Sequence, residues 1–346
     1  MKSVRLPNPV APGLYAGESG ELLVFYLAME EYLAAHLAKL VAPGPDGRRE
    51  AFFVWQVPPT VIFGRNQVMQ AEVNLPYCRQ NGVRLFRRKS GGGCVYSDNG
   101  NVMISYVTDA TDVAFTFDRY LQRLALALRH IGIPAERSGR NDILIDGRKV
   151  SGNAFFHLPG ASIVHGTLLF DSDFDAMEAA ITPSAGKIRS KGVSSVRQHV
   201  INVREWLDRA GHPMDLESFK RHLIADLSGA DKEPLILSES DCREIRRIES
   251  AYLDPVFLEG RNPLCTVEDT VRLPGIGDLV VASTLQDGKI FQISLSGDFF
   301  LKEGVPLGDL ESAVSSVLVG KEYSQDVVNK HINNINLNQF FYTETR

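Results

Sequence analysis

Three consecutive glycines, Gly91–Gly93, follow a run of cations in the segment RRKSGGGCVYSDNGN (87–101). Backbone N–H groups with no Cβ beside them can approach an anion or a flat ligand closely, and Arg87, Arg88 and Lys89 would supply positive charge. A flexible hairpin turn is the alternative interpretation. The sequence contains no G-x-x-x-x-G-K-[ST] motif, and a strand pattern follows the glycines. Neither a P-loop nor a dinucleotide fingerprint is therefore indicated.

A second group of polar residues lies in SGRNDILIDGRKVSGNAFF. The strand period predicts Lys149, Ser151 and Asn153 on one face, with Val150 and Ala154 on the other. A lysine beside a turn is commonly solvated, so this position alone does not identify a site.

A third group lies in the next strand pattern, SIVHGTLLF, which places His165 and Thr167 on one face and Gly166 on the other. Asn141 and Asp142 lead into DILI, the first strand of the preceding hairpin, and such side chains often cap turns. A lone histidine on a strand is more often structural than functional. Only the combination of the three groups suggests a site.

Length and composition limit the possible classes of protein. A chain of 346 residues with 44% hydrophobic residues is long enough for two domains. Its four cysteines show no C-x-x-C spacing, which indicates reduced thiols rather than disulfides or a zinc site. The basic start is interrupted by prolines, and no apolar run approaches the roughly 18 residues of a membrane span. We therefore expect a cytoplasmic protein with no membrane partner.

Charge is distributed unevenly along the chain. Residues 231–346 carry a net charge of −8, whereas residues 1–230 carry +3, so the first part is the better candidate for binding anions. Residues 181–204 hold five cations and no carboxylate, which also fits a solvated basic loop. One basic loop on an acidic chain argues against broad nucleic-acid binding.

The periodicity predicts an α+β fold with a largely antiparallel sheet, because hairpins alternate with helices. ESGELLVFYLAMEEYLAAHLAKL and FDRYLQRLALALRHIG have helical spacing, and the segments AFFVWQV and TVIFG are predicted to be paired strands. VRLFRR and NVMISYVT are strand patterns on either side of the glycines, and DILIDGRKVSGNAFF is a hairpin turning at Asp146-Gly147. A charged helical stretch then precedes a smaller α+β unit. We expect a catalytic domain at 1–250 and an accessory domain at 251–346.

The segments RRKSGGGCVYSDNGN, SGRNDILIDGRKVSGNAFF, HGTLL and KGVSSVR occur in the order and at about the intervals seen in lipoate-protein ligases. The chain resembles this family from about residue 20 into the C-terminal domain. The resemblance implies the mixed, largely antiparallel sheet flanked by helices of biotin and lipoyl ligases, which is similar to class II aminoacyl-tRNA synthetases. It also implies the small α+β accessory domain of the long bacterial ligases.

The same resemblance implies an activity and partners. Lipoic acid would react with ATP, aided by Mg²⁺, to give lipoyl-AMP and pyrophosphate, and the acyl group would pass to a lysine of a lipoyl carrier domain. The implied carriers are the lipoyl domains of 2-oxoacid dehydrogenase complexes or the glycine cleavage H protein. An ammonium between the carboxylate and the α-phosphate would offset their repulsion, and Lys149 is our candidate for this catalytic role.

The family motifs imply further contacts, residue by residue. Implied ATP contacts are Arg88, Gly93, Cys94, Val95, Tyr96, Asn141, Asp142, Lys149 and, in the basic loop, Lys191. Implied contacts of the acid are Ser90, Gly91, Gly92, Gly93, Ser151, Gly152, His165 and Thr167. Asp142 is the implied Mg²⁺ ligand. The family often has histidine immediately before Asp98, where this chain has Ser97, so no role of that imidazole carries over.

Two alternatives stay open at this point. A cysteine-dependent octanoyl or lipoyl transferase of the same fold would need a thiolate near Lys149, and no cysteine lies between Cys94 and Cys242. A non-catalytic lipoate-binding or carrier-binding protein would not need Lys149. A biotin ligase is disfavoured, because a G-R-G-R-type loop would be expected in place of the triple glycine.

Overall fold

The computed structural model describes residues 1–6, 22–139, 141–181, 199–231, 233–260 and 262–342. The strands in these ranges are β1 (Lys2–Arg5), β2 (Glu50–Trp55), β3 (Thr60–Phe63), β4 (Arg84–Arg87), β5 (Val95–Ser97), β6 (Asn101–Thr108), β7 (Ala135–Ser138), β8 (Asp142–Ile145), β9 (Arg148–Leu158), β10 (Ala161–Leu169), β11 (Leu235–Ile236), β12 (Val267–Leu273), β13 (Gly277–Gln286) and β14 (Lys289–Asp298). The helices are α1 (Leu22–Leu40), α2 (Met69–Glu72), α3 (Leu75–Gln80), α4 (Val113–His130), α5 (Phe174–Ala180), α6 (Val203–Arg209), α7 (Leu216–Ser228), α8 (Glu239–Leu253), α9 (Pro255–Glu259), α10 (Leu307–Leu318) and α11 (Gln325–Asn333).

A sheet of eight strands in the order β11-β1-β2-β6-β10-β9-β8-β7 forms the centre of the molecule. The pairs of β1 with β2 and with β11 are parallel, and the other pairs are antiparallel. The predicted α+β class with a largely antiparallel sheet is confirmed.

Helices cover both faces of this sheet because successive strand residues point to opposite sides. On β6, Ile104 and Tyr106 pack with α4, whereas Met103 and Val107 pack with α1. The two cores are therefore separated by the sheet.

The prediction that AFFVWQV and TVIFG pair with each other is wrong. β2 pairs with β6 in the large sheet, whereas β3 lies between β4 and β5 in a separate three-stranded sheet. Pro58 and Pro59 separate the two strands, and a proline residue has no N–H to continue a ladder. The chain therefore leaves the large sheet here and builds the small sheet that carries the glycines.

The β8–β9 hairpin turns where the sequence predicted, with positive φ values at Asp146 (51°) and Gly147 (75°). Its register shifts so that Ile143 faces Ser151 and Leu144 faces Lys149, which leaves Val150 as an extra residue. Such a bulge interrupts the alternation of faces. The prediction that Lys149 shares a face with Ser151 is therefore wrong.

The smaller α+β unit consists of the β12-β13-β14 sheet with α10 and α11. The predicted boundary at residue 250 falls inside α8, and Tyr252 of that helix is buried in the first unit's core. We propose that the boundary lies at Gly260. In the described part of the chain, no helix is long and apolar enough to span a membrane.

Arg87 fixes the end of the first unit. Its guanidinium donates to the carbonyls of Gly64 and Gln67 after β3, at 3.0 and 2.7 Å, and to those of Phe257 and Glu259 on α9, at 2.8 and 2.9 Å. A Cβ on the next residue, Gly260, would lie 2.4 Å from Arg87 Nη2. The segment that leads to the second unit thus starts from a fixed point.

Glu249 provides a test of stability against pH. Burial raises the pKa of this 5% exposed carboxyl group to about 7, and its Oε1 has no hydrogen-bond partner among the described residues. The folded chain therefore binds this proton more tightly than the unfolded chain, and stability falls as the pH rises from about 4.5 through 7. Glu249→Gln should be more stable than the parent at pH 8, by about 1–3 kcal/mol, with a smaller gain at pH 5.5. Urea unfolding at the two pH values measures this.

Glu244→Gln is the matched control, because Glu244 lies on the same helix with a 49% exposed side chain. It should change stability little at either pH. An equal gain for Glu249→Gln at pH 5.5 and pH 8 would contradict the titration.

Candidate active site

A cavity of about 620 Å³ lies between the large sheet, the glycine segment and the second unit. Of the predicted site residues, those that line it are Arg88, Gly92, Gly93, Cys94, Val95, Asn141, Asp142, Lys149, Gly152, His165 and Thr167. The structure therefore brings together three sequence motifs that are up to 79 positions apart, from Arg88 to Thr167.

The floor of the cavity is a row of residues across four neighbouring strands. Trp55 of β2 pairs with Met103 of β6, Met103 pairs with Thr167 of β10, and Thr167 pairs with Gly152 of β9. Three interstrand spacings of about 4.8 Å make this row roughly 14 Å long. It runs from two large apolar side chains to Gly152, next to Lys149.

Lys149 lies at the polar end of this row because of the bulge. A Cβ at Gly152 would be 2.7 Å from Lys149 Nζ, so a side chain at position 152 would displace the ammonium. Lys149 Nζ lies 2.8 Å from Asp142 Oδ1, and its side chain is 40% exposed. Asn141 and Asn153 exchange amide-to-carbonyl hydrogen bonds of 2.9 Å, which fixes the start of β8 beside this pair.

Arg88 holds the glycine segment above the floor. Its Nη2 donates to the carbonyls of Gly91 and Gly93, both at 2.7 Å, and its Nη1 donates to that of Ile62 at 3.1 Å. Burial lowers the pKa of Arg88 to about 10, so the side chain remains charged at neutral pH. The carbonyls that turn towards this guanidinium set the curvature of the loop.

The prediction that three consecutive cations supply charge to a ligand is wrong for two of them. Arg87 donates to backbone carbonyls behind the loop. Lys89 forms an ion pair with Glu31 at 2.7 Å and lies over the ring of Tyr252. Strand geometry sends adjacent side chains in different directions, so only Arg88 reaches the cavity.

The second unit lies directly on the three glycines. Hypothetical Cβ atoms would lie 2.3 Å from Phe299 O at Gly91 and 2.8 Å from Phe300 Cζ at Gly92. Gly92 N donates to Phe299 O at 3.2 Å, and Gly92 has a φ of 85° that disfavours any side chain. The absence of side chains therefore permits domain contact, in addition to any contact with a ligand.

Four predicted site residues do not line the cavity. Ser151 is fully buried on the opposite face of β9, where it accepts from Asn153 Nδ2, and Tyr96 is buried under the small sheet. Ser90 is buried behind Arg88, and Gly91 contacts the second unit. Lys191 lies outside the described residues.

The structure adds residues that the sequence did not suggest. Trp55 and Met103 line the apolar end, and Asp278 and Asp298 of the second unit line the cavity. Asp278 accepts from Arg272 Nη1 at 2.8 Å. The alternation of strand residues could have predicted that Trp55 and Met103 face the cavity. Nothing in the sequence near Asp278 and Asp298 indicates that these residues of the second unit reach the same cavity.

The described residues contain no group of three or more His, Cys, Asp or Glu side chains arranged to hold a metal. Mg²⁺ that arrives with a nucleotide needs only one or two carboxylates, because phosphate oxygens and water complete its shell. The partly exposed Asp142 carboxylate fits that requirement, and Asp142 as its ligand stays a prediction.

Comparison with known proteins identifies the family. Residues 23–228 match the lipoyl protein ligase A/B catalytic domain, and residues 262–346 match the bacterial lipoate protein ligase C-terminus. Lipoate-protein ligase LplJ of Bacillus subtilis (strain 168) is 36% identical over 92% of this chain and 93% of its own. Lipoate-protein ligase 1 of Staphylococcus aureus (strain Mu50 / ATCC 700699) is 32% identical over 88% and 90%. The chain belongs to the lipoate-protein ligase family, as the motifs indicated.

Solved structures share the fold. P. falciparum LipL1 in complex with lipoate superposes with a TM-score of 0.66 at 21% identity, over 91% of this chain and 92% of that one. A bipartite lipoate protein ligase from Thermoplasma acidophilum, described with its E2 lipoyl domain, has a TM-score of 0.61 at 25% identity, over 77% of this chain and 100% of that one. Lipoate-protein ligase A bound with ATP has a TM-score of 0.57 at 25% identity, over 69% of this chain and 94% of that one.

Proposed function

We infer that this protein is an ATP-dependent lipoate-protein ligase, which forms lipoyl-AMP and transfers the lipoyl group to a lysine of a lipoyl carrier domain. The cavity floor carries this inference, because it is apolar at Trp55 and Met103 and cationic at Lys149. A long acid with one carboxylate fits such a floor with its tail at the apolar end. Family membership and the relatives' names agree with this activity.

In the first half-reaction, a lipoate carboxylate oxygen attacks the α-phosphorus of ATP, and the bond to the β-phosphate oxygen breaks. Both reactants are anionic, so an ammonium between them lowers the repulsion and stabilises the charge that develops in the transition state. Lys149 would perform this role, and Asp142 holds its Nζ at 2.8 Å. Mg²⁺ held by Asp142 and the phosphates would neutralise further charge on the nucleotide.

In the second half-reaction, the amine of a carrier lysine attacks the acyl carbonyl, and AMP leaves with the electron pair of the broken bond. We propose lipoyl domains of 2-oxoacid dehydrogenase complexes as carriers, because a structural relative is described with an E2 lipoyl domain. The glycine cleavage H protein is the second candidate. We propose that the reaction takes place in the cytoplasm, since it consumes ATP and the four cysteines, all in the described ranges, form no disulfide.

Lipoate-dependent exchange of labelled pyrophosphate into ATP tests the first half-reaction directly. The purified protein should catalyse this exchange, since only adenylate formation makes pyrophosphate incorporation depend on lipoic acid. A protein that binds lipoic acid without exchange would be a binding protein instead.

Cys94→Ala distinguishes the ligase from a thioester-forming transferase. All four cysteines are described, and Cys94 is the one that lines the cavity. If the ligase acts through Lys149, this variant should keep most of its ligation rate, with at most a few-fold change in KM for lipoic acid. Single-turnover ligation to a lipoyl domain measures this. An inactive but folded variant, together with an acyl thioester trapped on Cys94 of the parent, would establish the transferase.

A further inference from the structure

A buried chain of hydrogen bonds connects helix α1 with the glycine segment. Glu30 of α1 is fully buried, and its Oε2 lies 2.8 Å from His165 Nδ1. His165 Nε2 lies 2.7 Å from Ser90 Oγ, and Arg88 Nε donates to that oxygen at 2.9 Å. The four residues are 0–5% exposed, so water competes little for these bonds.

The directions of the two outer bonds follow from the chemistry of their ends. A guanidinium only donates, so Ser90 Oγ accepts from Arg88 Nε. A carboxylate only accepts, so His165 Nδ1 donates to Glu30 Oε2. The string thus joins the Glu30 carboxylate to the Arg88 guanidinium through His165 and Ser90.

A second string of hydrogen bonds ends on the other oxygen of the same carboxylate. Trp55 Nε1 donates to Ser105 Oγ at 2.9 Å, and Ser105 Oγ donates to Glu30 Oε1 at 2.5 Å. Both strings start at residues that line the cavity, whereas Glu30 does not line it. One carboxylate is therefore linked both to Trp55 of the floor and to Arg88, which holds the glycine segment above the floor.

We propose that Glu30 is a positioning residue for the lipoic acid subsite, acting through His165 and Ser90 on Arg88 and through Ser105 on Trp55. Arg88 transmits the constraint, because its Nη2 holds the carbonyls of the glycine segment. This inference rests on the proposed lipoate ligase function. Lys149 and Asp142 lie outside both strings, so the nucleotide end should respond much less.

Glu30→Gln tests the proposal without changing the size of the side chain. An amide accepts at one end only, so its NH₂ group faces either His165 Nδ1 or Ser105 Oγ, and the donor on that side loses the acceptor that it has in the parent. We expect the Kd for lipoic acid to rise about 10-fold, the effect of one mismatched buried hydrogen bond, while the Kd for ATP changes less than about 3-fold. Isothermal titration calorimetry with each ligand alone measures both values.

Glu31→Gln is the matched control on the next residue of the same helix. Glu31 binds Lys89 at 2.7 Å and the Tyr252 hydroxyl at 2.5 Å, and it contacts neither string. This variant should keep parental affinity for lipoic acid and ATP. The same loss of lipoic acid affinity in Glu31→Gln would overturn the assignment to Glu30.

Ser90→Ala cuts the string between His165 and Arg88 and keeps the test decisive if Glu30→Gln folds poorly. Ser90→Ala should raise the Kd for lipoic acid but not the Kd for ATP. When Ser90→Ala is combined with Glu30→Gln, the fold increase in the Kd for lipoic acid should be smaller than the product of the two single increases, because the two residues act through one connection. Parental affinity, equal weakening for both ligands or multiplicative losses would overturn the proposal. Pyrophosphate exchange by the unsubstituted protein is measured separately. If that protein binds lipoic acid but catalyses no exchange, the proposed ligase function is contradicted, whereas the positioning role of Glu30 is not.

Discussion

Replacing Lys149 with alanine should slow lipoyl-AMP formation by about 10²- to 10³-fold, the typical cost of losing one preorganised donor to developing charge. The ammonium sits at the polar end of the floor, 2.8 Å from Asp142, where the carboxylate and the α-phosphate are proposed to meet. Thermal stability should hardly change, because an ion pair with a 40% exposed lysine contributes little. Pyrophosphate exchange and transfer from supplied lipoyl-AMP measure the two half-reactions, and both should fall.

Arg148→Ala is the control for Lys149→Ala. Arg148 is the neighbouring cation and pairs with Glu205 at 3.1 Å, so its loss should leave both rates near parental. Lys149→Arg should rescue poorly, because a planar fork does not reproduce a compact ammonium next to Gly152. Near-parental rates for Lys149→Ala in both half-reactions would mean that the lysine is a solvated surface residue.

Arg88→Lys should destabilise the protein by about 2–4 kcal/mol and lower adenylation at least about 100-fold, although it keeps the charge. A lysine ammonium cannot serve Ser90 and the carbonyls of Ile62, Gly91 and Gly93 together, so buried acceptors lose their donors. Urea unfolding and pyrophosphate exchange measure the two effects.

Arg65→Lys is the matched control for this substitution, since Arg65 is an exposed arginine near the same loop. It should shift neither stability nor exchange by more than about 0.5 kcal/mol or 3-fold. If Arg88→Lys behaved in the same way, charge rather than the forked geometry of the guanidinium would support the glycine segment.

Local sequence signals predicted most of the elements and the turn between β8 and β9. Aspartate and glycine accept positive φ, which two-residue hairpins require, so Asp146-Gly147 indicated the turn directly. The apolar spacing of α1 and α4 likewise depends on residues that are close in sequence. Such signals need no knowledge of the rest of the chain.

Partners that are distant in sequence were not predictable in the same way. The alternating pattern of β2 and β3 is compatible with pairing in either sheet, and their adjacency in sequence suggested the wrong partner. The bulge at Val150 depends on register with β8, and it moved Lys149 to the face of Gly152. A one-residue register difference is invisible in a single strand pattern.

In the candidate site, too, local motifs were predictable from the sequence and contacts between distant segments were not. The motifs predicted most of the residues that line the cavity on its sheet and loop side, including Lys149 and His165. Glu30 lies in an apolar helix where a carboxylate normally faces solvent, and only the packed structure shows what it binds. The contact of Phe299 and Phe300 with the glycines needs the position of a second unit some 200 residues further along the chain.

The hydrogen bond from Gly92 N to Phe299 O joins the two units through a backbone amide of the glycine segment. An amide that donates across an interface exchanges its proton with solvent only when the interface opens. The deuterium uptake of Gly92 therefore measures how often the second unit leaves the glycine segment, without any added label. A ligand that holds the units together slows this uptake, and one that separates them accelerates it. Gly92, which we propose lies close to the ligand, would thus also report the motion of the second unit.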